Sequence, residues 1–147
     1  MRFGAMTVVF LFLDLGTKQW MQTHLVPGQT HQVIAQWLDW TLVHNSGVSF
    51  SLLSGHWIIV ITLQISVIAL LVFIYARSRS SFLLDLGYAM LIGGALGNLV
   101  NRAILGYVVD FISFRWWPAI FNVADVEIRV GAVLLLVLYL RNRAETH

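Results

Sequence analysis

Asp110 and Asp125 are the residues of this chain best suited to do chemistry. They lie in a stretch, Gly93 to Asp125, that reads G-G-A-L-G-N-L-V-N-R-A-I-L-G-Y-V-V-D-F-I, then a Trp-rich passage, then F-N-V-A-D. From Asn98 to Asp125, 28 positions hold both aspartates, three asparagines and Arg102 in an otherwise oily sequence. Ionisable groups near hydrocarbon depth are costly, so such a cluster reads as a functional site. Two carboxylates brought together at one depth cannot both ionise cheaply; one keeps its proton and the two titrations move apart. The ionised member can take a proton from water, and the protonated member can protonate a leaving amine. That is peptide-bond hydrolysis without a metal or a covalent intermediate. The same acids could equally serve a proton-coupled membrane carrier, and the residue types alone leave both readings open. A serine nucleophile built from Ser46, Ser49 or Ser51 with Lys18 is a third arrangement, although no spacing singles out a pair.

The elements that must position these groups are read from composition and periodicity. Of 147 residues, 59% are hydrophobic and 11% charged, against about 45–50% apolar in soluble domains. A single integral membrane domain is expected. The formal charge of +2 includes no contiguous Lys/Arg patch, which argues against a nucleic-acid partner. The absence of cysteine excludes disulfides and thiolate chemistry, and none of the five histidines forms an H-x-x-x-H pair, so neither a metal nor another cofactor is expected.

Four apolar runs predict transmembrane helices over about 3–22, 57–76, 82–105 and 122–140. The first has no A-x-A-like cleavage site behind it and is read as a retained span. Asp14 and Lys18 stand four apart on one face of it, either a helix-surface ion pair or part of the site; Gly16 would let another helix approach. Residues 23–56 alternate apolar and polar around Trp37 and Trp40, which predicts a small β-rich extramembrane lobe containing the turn H-N-S-G-V-S-F-S. Residues 106–121 are expected to be a loop, with Trp116, Trp117 and Phe121 at the membrane interface. Gly87, Gly93, Gly94 and Gly97 are spaced for close helix contact, and Asp85 is a helix-end residue. The tail beyond Leu140 is expected to fray. Arg2, Arg77, Arg79, Arg141 and Arg143 gather on one side, so both termini are expected in the cytoplasm, with the β-rich lobe and both aspartates extracytoplasmic. The fold class is therefore a mainly α membrane protein of four transmembrane helices with a small β-rich extracytoplasmic lobe.

Taken together and in order, D-L-G-T-K, N-S-G-V-S-F-S, G-G-A-L-G-N-L-V-N-R, Y-V-V-D-F and F-N-V-A-D resemble the motifs of bacterial lipoprotein signal peptidase, or signal peptidase II, over nearly the whole chain. The resemblance implies an aspartyl endopeptidase of the bacterial inner membrane, active near the outer face, whose catalytic dyad falls on Asp110 and Asp125. It places the family's D-x-x-x-K element on Asp14 and Lys18 and its N-x-G-x-x-F-S element on Asn45, Gly47, Phe50 and Ser51. The G-N-x-x-D-R element falls on Gly97, Asn98 and Arg102, and N-x-A-D on Asn122, Ala124 and Asp125. The implied substrate is a prolipoprotein carrying a diacylglyceryl thioether on its lipobox cysteine, cleaved on the amino side of that cysteine. Membrane lipids and globomycin-type inhibitors are the other implied partners. Asn101 stands where the family usually has Asp, and if that carboxylate mainly pairs with Arg102 the amide keeps the hydrogen bond and loses the ion pair; Val126 replaces a common small hydroxyl residue, and Glu127 is an extra charge that could pair only poorly with Arg129. A non-catalytic relative that binds the precursor without cutting it is the alternative suggested by Asn101.

Overall fold

The computed structural model describes residues 1–46 and 57–144. Its elements run α1 (Arg2–His24), β1 (Thr30–Ile34), β2 (Leu38–Asn45), α2 (Trp57–Arg77), α3 (Phe82–Leu105), β3 (Val108–Phe114), β4 (Ile120–Phe121) and α4 (Val123–Ala144). The helices are 21 to 24 residues long, or about 32–36 Å at 1.5 Å per residue, against a hydrocarbon core of about 30 Å. Ile58–Arg77 and Phe82–Leu105 are each long and apolar enough to cross a membrane. Large apolar side chains stand exposed along α1 (Val8, Val9, Phe12), α2 (Ile59, Leu63, Leu70, Phe73) and α4 (Val133, Leu136, Val137, Leu140). Exposed apolar surface on this scale needs a nonaqueous neighbour.

Helix α3 is the centre, packed on α1 and α4. It starts at Ser81, whose Oγ accepts from the Leu84 N–H at 3.3 Å, and stops at Gly106, which holds the left-handed conformation at φ 79°. Small residues let its neighbours approach. A Cβ on Gly94 would come within 2.7 Å of the Ala124 carbonyl, and one on Gly97 would land on the Asp14 carboxylate. Gly87 and Gly93 likewise meet Leu135 and Phe10, so all four glycines serve close packing. Gly16 does not: nothing lies within 4 Å of an added Cβ. Two residues from Asp14, it points away from the face that meets α3. At the opposite end of the bundle, the Asp85 carboxylate accepts from Arg2 Nη2 at 2.7 Å, Tyr75 Oη at 3.0 Å and Ser80 Oγ at 3.0 Å. This knot gathers the start of α1, the end of α2 and the start of α3.

The strands form one antiparallel sheet in the order β1-β2-β3-β4. Residues 106–121, expected as a loop, are therefore half strand: V-V-D-F-I-S-F pairs with β2, with Val43 opposite Asp110 and Asn45 opposite Val108. The run is rich in β-branched and aromatic residues, and its partner lies more than sixty positions earlier, beyond the reach of any local pattern. Period-two alternation then sorts the side chains. Val109 and Phe111 join Met21, Leu25 and Leu42 in a buried cluster beneath the end of α1, while Val108 and Asp110 line the cavity on the other face. Phe121 is buried rather than interfacial, packed beside Phe114, whereas Trp116 and Trp117 are exposed. Helix α4 continues to Ala144, beyond the expected end at Leu140; Arg141 and Arg143 in its last turn suit the negative end of the helix dipole.

Candidate active site

Asp125 is fixed by the way α4 begins. Asn122 caps the helix: its Oδ1 accepts from the Asp125 N–H at 3.0 Å, and the Asp125 carboxylate accepts from the Asn122 N–H at 3.2 Å. This reciprocal pair is a capping box with Asp in the third helical position. The carboxylate sits in the first turn, where unpaired N–H groups favour negative charge. Asp110 arrives from the sheet. Its Oδ2 accepts from Asn45 Nδ2 at 2.8 Å, a diagonal neighbour across β2 and β3, and its Oδ1 accepts from Asn122 Nδ2 at 2.6 Å.

Asn98 on α3 completes the bridge. Its Nδ2 donates to Asp125 Oδ1 at 3.1 Å, and its Oδ1 accepts from Asn122 Nδ2 at 3.1 Å and from Lys18 Nζ at 2.7 Å. The orientation of both amides follows from groups that can only donate. Lys18 demands the oxygen of Asn98, leaving its nitrogen for Asp125. The Asp125 N–H demands the oxygen of Asn122, leaving its nitrogen for Asp110. Both carboxylates thus face donors.

Lys18 is held in turn by Asp14 at 2.6 Å, with both side chains at most 1% exposed. The pair is therefore not the helix-surface ion pair that was one expectation; α3 covers it, with Gly97 leaving room for Asp14. The second oxygen of Asp14 accepts from the Ala124 N–H at 2.9 Å, which ties α1 to the start of α4. Breaking a buried pair of this kind costs about 3–5 kcal/mol.

Burial raises the Asp110 carboxyl to about 6; the Asn45 bond opposes the rise and the charge of Asp125 adds to it. A carboxyl in that range can hold a proton beside an anionic neighbour.

The two aspartates close one end of a cavity of about 800 Å³. Asn45, Asn98, Arg102 and Asn122 line the same end, and Val60, Leu63, Val67, Leu71, Leu91 and Ile128 form apolar walls leading away from it. Helix α2 supplies one wall, and α2 and α4 each pack on α3 rather than chiefly on each other, so the cavity lies between these two helices.

The site residues expected from the sequence thus converge in space, with one exception: Gly47, like Phe50 and Ser51, lies outside the described residues. Three features escaped the sequence. Asn101 is buried, and its Oδ1 accepts from the Val109 N–H at 3.2 Å, one residue before Asp110. Glu127 does not pair with Arg129; its carboxyl is buried against Gly94, in the field of Asp14 and Lys18, and neither oxygen has a hydrogen-bond partner among the described residues. Gln64, an amide inside an apolar run, reaches across to α3. Its signal was the amide itself, which inside a hydrophobic helix needs partners on a neighbouring element.

The family model for Signal peptidase (SPase) II matches residues 6–141. The lipoprotein signal peptidase of Mycobacterium leprae is 42% identical over 141 residues, covering 91% of this chain and 69% of its own length. That of Syntrophomonas wolfei is 38% identical, covering 95% of this chain and 93% of its own. A bacterial membrane enzyme solved by the in meso method at 2.3 Å resolution superposes with a TM-score of 0.90 at 26% identity, covering 99% of this chain and 91% of that one. With capped helix, strand and amide bridge all built from residues within the matched span, the chain belongs to the signal peptidase II family.

Proposed function

We propose that the chain is an intramembrane aspartyl endopeptidase that removes the signal peptide from diacylglyceryl-modified prolipoproteins, cutting on the amino side of the lipidated cysteine. The observation that carries this reading is the pairing of Asp110 and Asp125 through Asn122 and Asn98 in a largely apolar cavity between α2 and α4. Asp125, at the positive end of α4, is the anion that takes a proton from water as the water oxygen attacks the scissile carbonyl carbon. Asp110 keeps its proton and hydrogen-bonds the carbonyl oxygen as charge develops there. Collapse of the tetrahedral intermediate breaks the C–N bond, and the departing nitrogen takes up the proton.

Asn98 and Asn122 keep donors on both carboxylates, Asn45 holds Asp110 against the sheet, and Asp14 and Lys18 hold Asn98. Arg102 offers donors to substrate carbonyls. The apolar walls suit a substrate whose signal helix and acyl chains stay in the bilayer, and a globomycin-type peptide would occupy the same cavity. Four spans with both termini in the cytoplasm fit the positive-inside rule, and the position of Arg2 and Arg77 at the Asp85 end of the bundle, opposite the sheet, supports a dyad near the outer face of the bacterial inner membrane.

The test is incubation of the purified protein with a diacylglyceryl-modified precursor. Wild type should release the signal peptide, and Asp110→Asn and Asp125→Asn should each abolish cleavage while the protein stays folded. Precursor bound but left intact by wild type would instead favour the non-catalytic alternative.

A further inference from the structure

We infer that Gln64 is a positioning residue that sets the Arg102 guanidinium for substrate binding; the inference rests on the peptidase reading above. Gln64 sits near the middle of α2, a helix otherwise facing outward with apolar side chains. An amide there is costly unless both of its ends are used. Both are. Its Nε2 donates to the Ala95 carbonyl at 2.9 Å, and its Oε1 accepts from Arg102 Nη1 at 3.2 Å. Ala95 and Arg102 are seven residues apart, two turns or about 10 Å along one face of α3, so the long Arg102 side chain lies back along the helix to meet the amide.

The two bonds differ in what they do. Ala95 lies inside α3, so its carbonyl keeps a helical hydrogen bond without Gln64. Arg102 lies in the last turn of α3 on a long, half-buried side chain, inside the cavity and within the fields of Asp110 and Asp125. Those fields draw the guanidinium towards the carboxylates. An acceptor on α2 draws it across the cavity, towards the wall along which a substrate would lie. Around Gln64 the cavity lining is mixed, with Val60, Leu63, Val67 and Leu71 of α2 together with Asn98 and Arg102 of α3. Arg102 fixed there meets the extended peptide while its apolar signal segment follows α2. An interaction of that kind holds bound substrate and transition state alike, so its loss belongs in KM rather than in kcat.

The test compares wild type, Gln64→Met and Gln64→Glu as full-length purified proteins, measuring kcat and KM on a diacylglyceryl-modified precursor together with Tm. Met keeps the length of the side chain and loses both bonds; Glu keeps the acceptor for Arg102 and loses the donor to Ala95. The expected result is a rise in KM of about tenfold for Gln64→Met with kcat within threefold of wild type, and a KM within threefold of wild type for Gln64→Glu. An unchanged KM in Gln64→Met, equal impairment of the two variants, or a fall in kcat at constant KM would each overturn the inference, the second by assigning the effect to the Ala95 tether. A wild-type chain that cleaves nothing overturns the peptidase reading and this inference with it; an active wild type with Gln64→Met unchanged overturns this inference alone.

Discussion

Replacing Asn122 by Asp separates two jobs that one buried amide performs. As a cap, Asp is as good as Asn, because the Asp125 N–H needs only an acceptor. As a bridge it fails. The Asn122 nitrogen lies 2.6 Å from Asp110 Oδ1 and 3.1 Å from Asn98 Oδ1, and an oxygen in its place faces two acceptors. A third carboxylate whose charge centre is about 4 Å from that of Asp110 repels it by about 4 kcal/mol at an effective dielectric of 20, equivalent to about three pH units. At neutral pH the cluster then binds an additional proton or splays apart, and either event removes the arrangement of one proton on Asp110 beside an anionic Asp125. We expect kcat/KM for precursor cleavage to fall at least 100-fold at pH 7, with a Tm lower by roughly 8–16 °C at that pH and recovering as pH falls and the added carboxyl takes a proton. Asn122→Ala loses stability by another route. It loses the cap, about 1 kcal/mol, and leaves two buried acceptors short of a donor at about 1 kcal/mol each. The sum of about 3 kcal/mol corresponds to roughly 6–12 °C in Tm for a chain of this size. Cleavage kinetics and thermal unfolding of the two variants decide the matter. An Asn122→Asp protein within threefold of wild-type activity at pH 7, or an Asn122→Ala protein as stable as wild type, refutes the bridge.

Three further outcomes are expected. Asp110 titrates at about 6 when folded and at 3.8 as an isolated side chain, so the folded state holds the extra proton between those values. Its contribution is most favourable below pH 3.8 and is lost as pH rises through 6, about 3 kcal/mol in all; kcat/KM should decline above about pH 6, and a flat profile to pH 9 would contradict the assignment of the proton to Asp110. Gly97→Ala drives a methyl group into the Asp14 carboxylate and should cost several kcal/mol, since the gain in helix propensity of about 1 kcal/mol cannot offset a broken buried pair; Gly16→Ala, with open space around it, should be neutral or stabilising in the same unfolding assay. Asn101→Asp keeps an acceptor for the Val109 N–H and should cleave precursor within threefold of wild type, whereas Asn101→Leu leaves that N–H unpaired and should lose at least tenfold.

The helices were legible because each is a long apolar run with a chemical stop. Ser81 and Gly106 bound α3 where the sequence puts its ends, and F-N-V-A-D announces a capped helix. Asp110 and Asp125 were visible as acids where acids are expensive. What the sequence withheld depends on what a face meets. The spacing of Asp14 and Lys18 puts them on one side of α1, but only the missing Cβ of Gly97 makes that side buried. Strand β3 looked like a connection because β2, its partner, is remote in the chain. Asn101 looked like a partner for its neighbour Arg102, although residues one apart on a helix point in different directions; the strand that follows α3 brings Val109 to it.

The two acids reach the cavity by different backbone rules, and each rule constrains the site. Asp110 is aimed by strand alternation: a register slip of one residue would send it into the Met21–Leu42–Phe111 cluster and turn Val109 into the cavity, abolishing the pair. Asp125 is aimed by the capping box, which cannot shift without uncapping α4. Neither carboxylate depends on a loop for its direction, so substrate entry need not reorder them. The opposite wall is held more lightly. Among the described contacts, α2 is held at one end by Tyr75, which bonds Asp85 and stacks on Phe3, near its middle by Gln64 and towards its start by the buried Val60, while most of its other side chains are exposed. In the peptidase proposed above, a lipid-bearing substrate would press against this wall, while the sheet, α3 and α4 hold the two carboxylates in register.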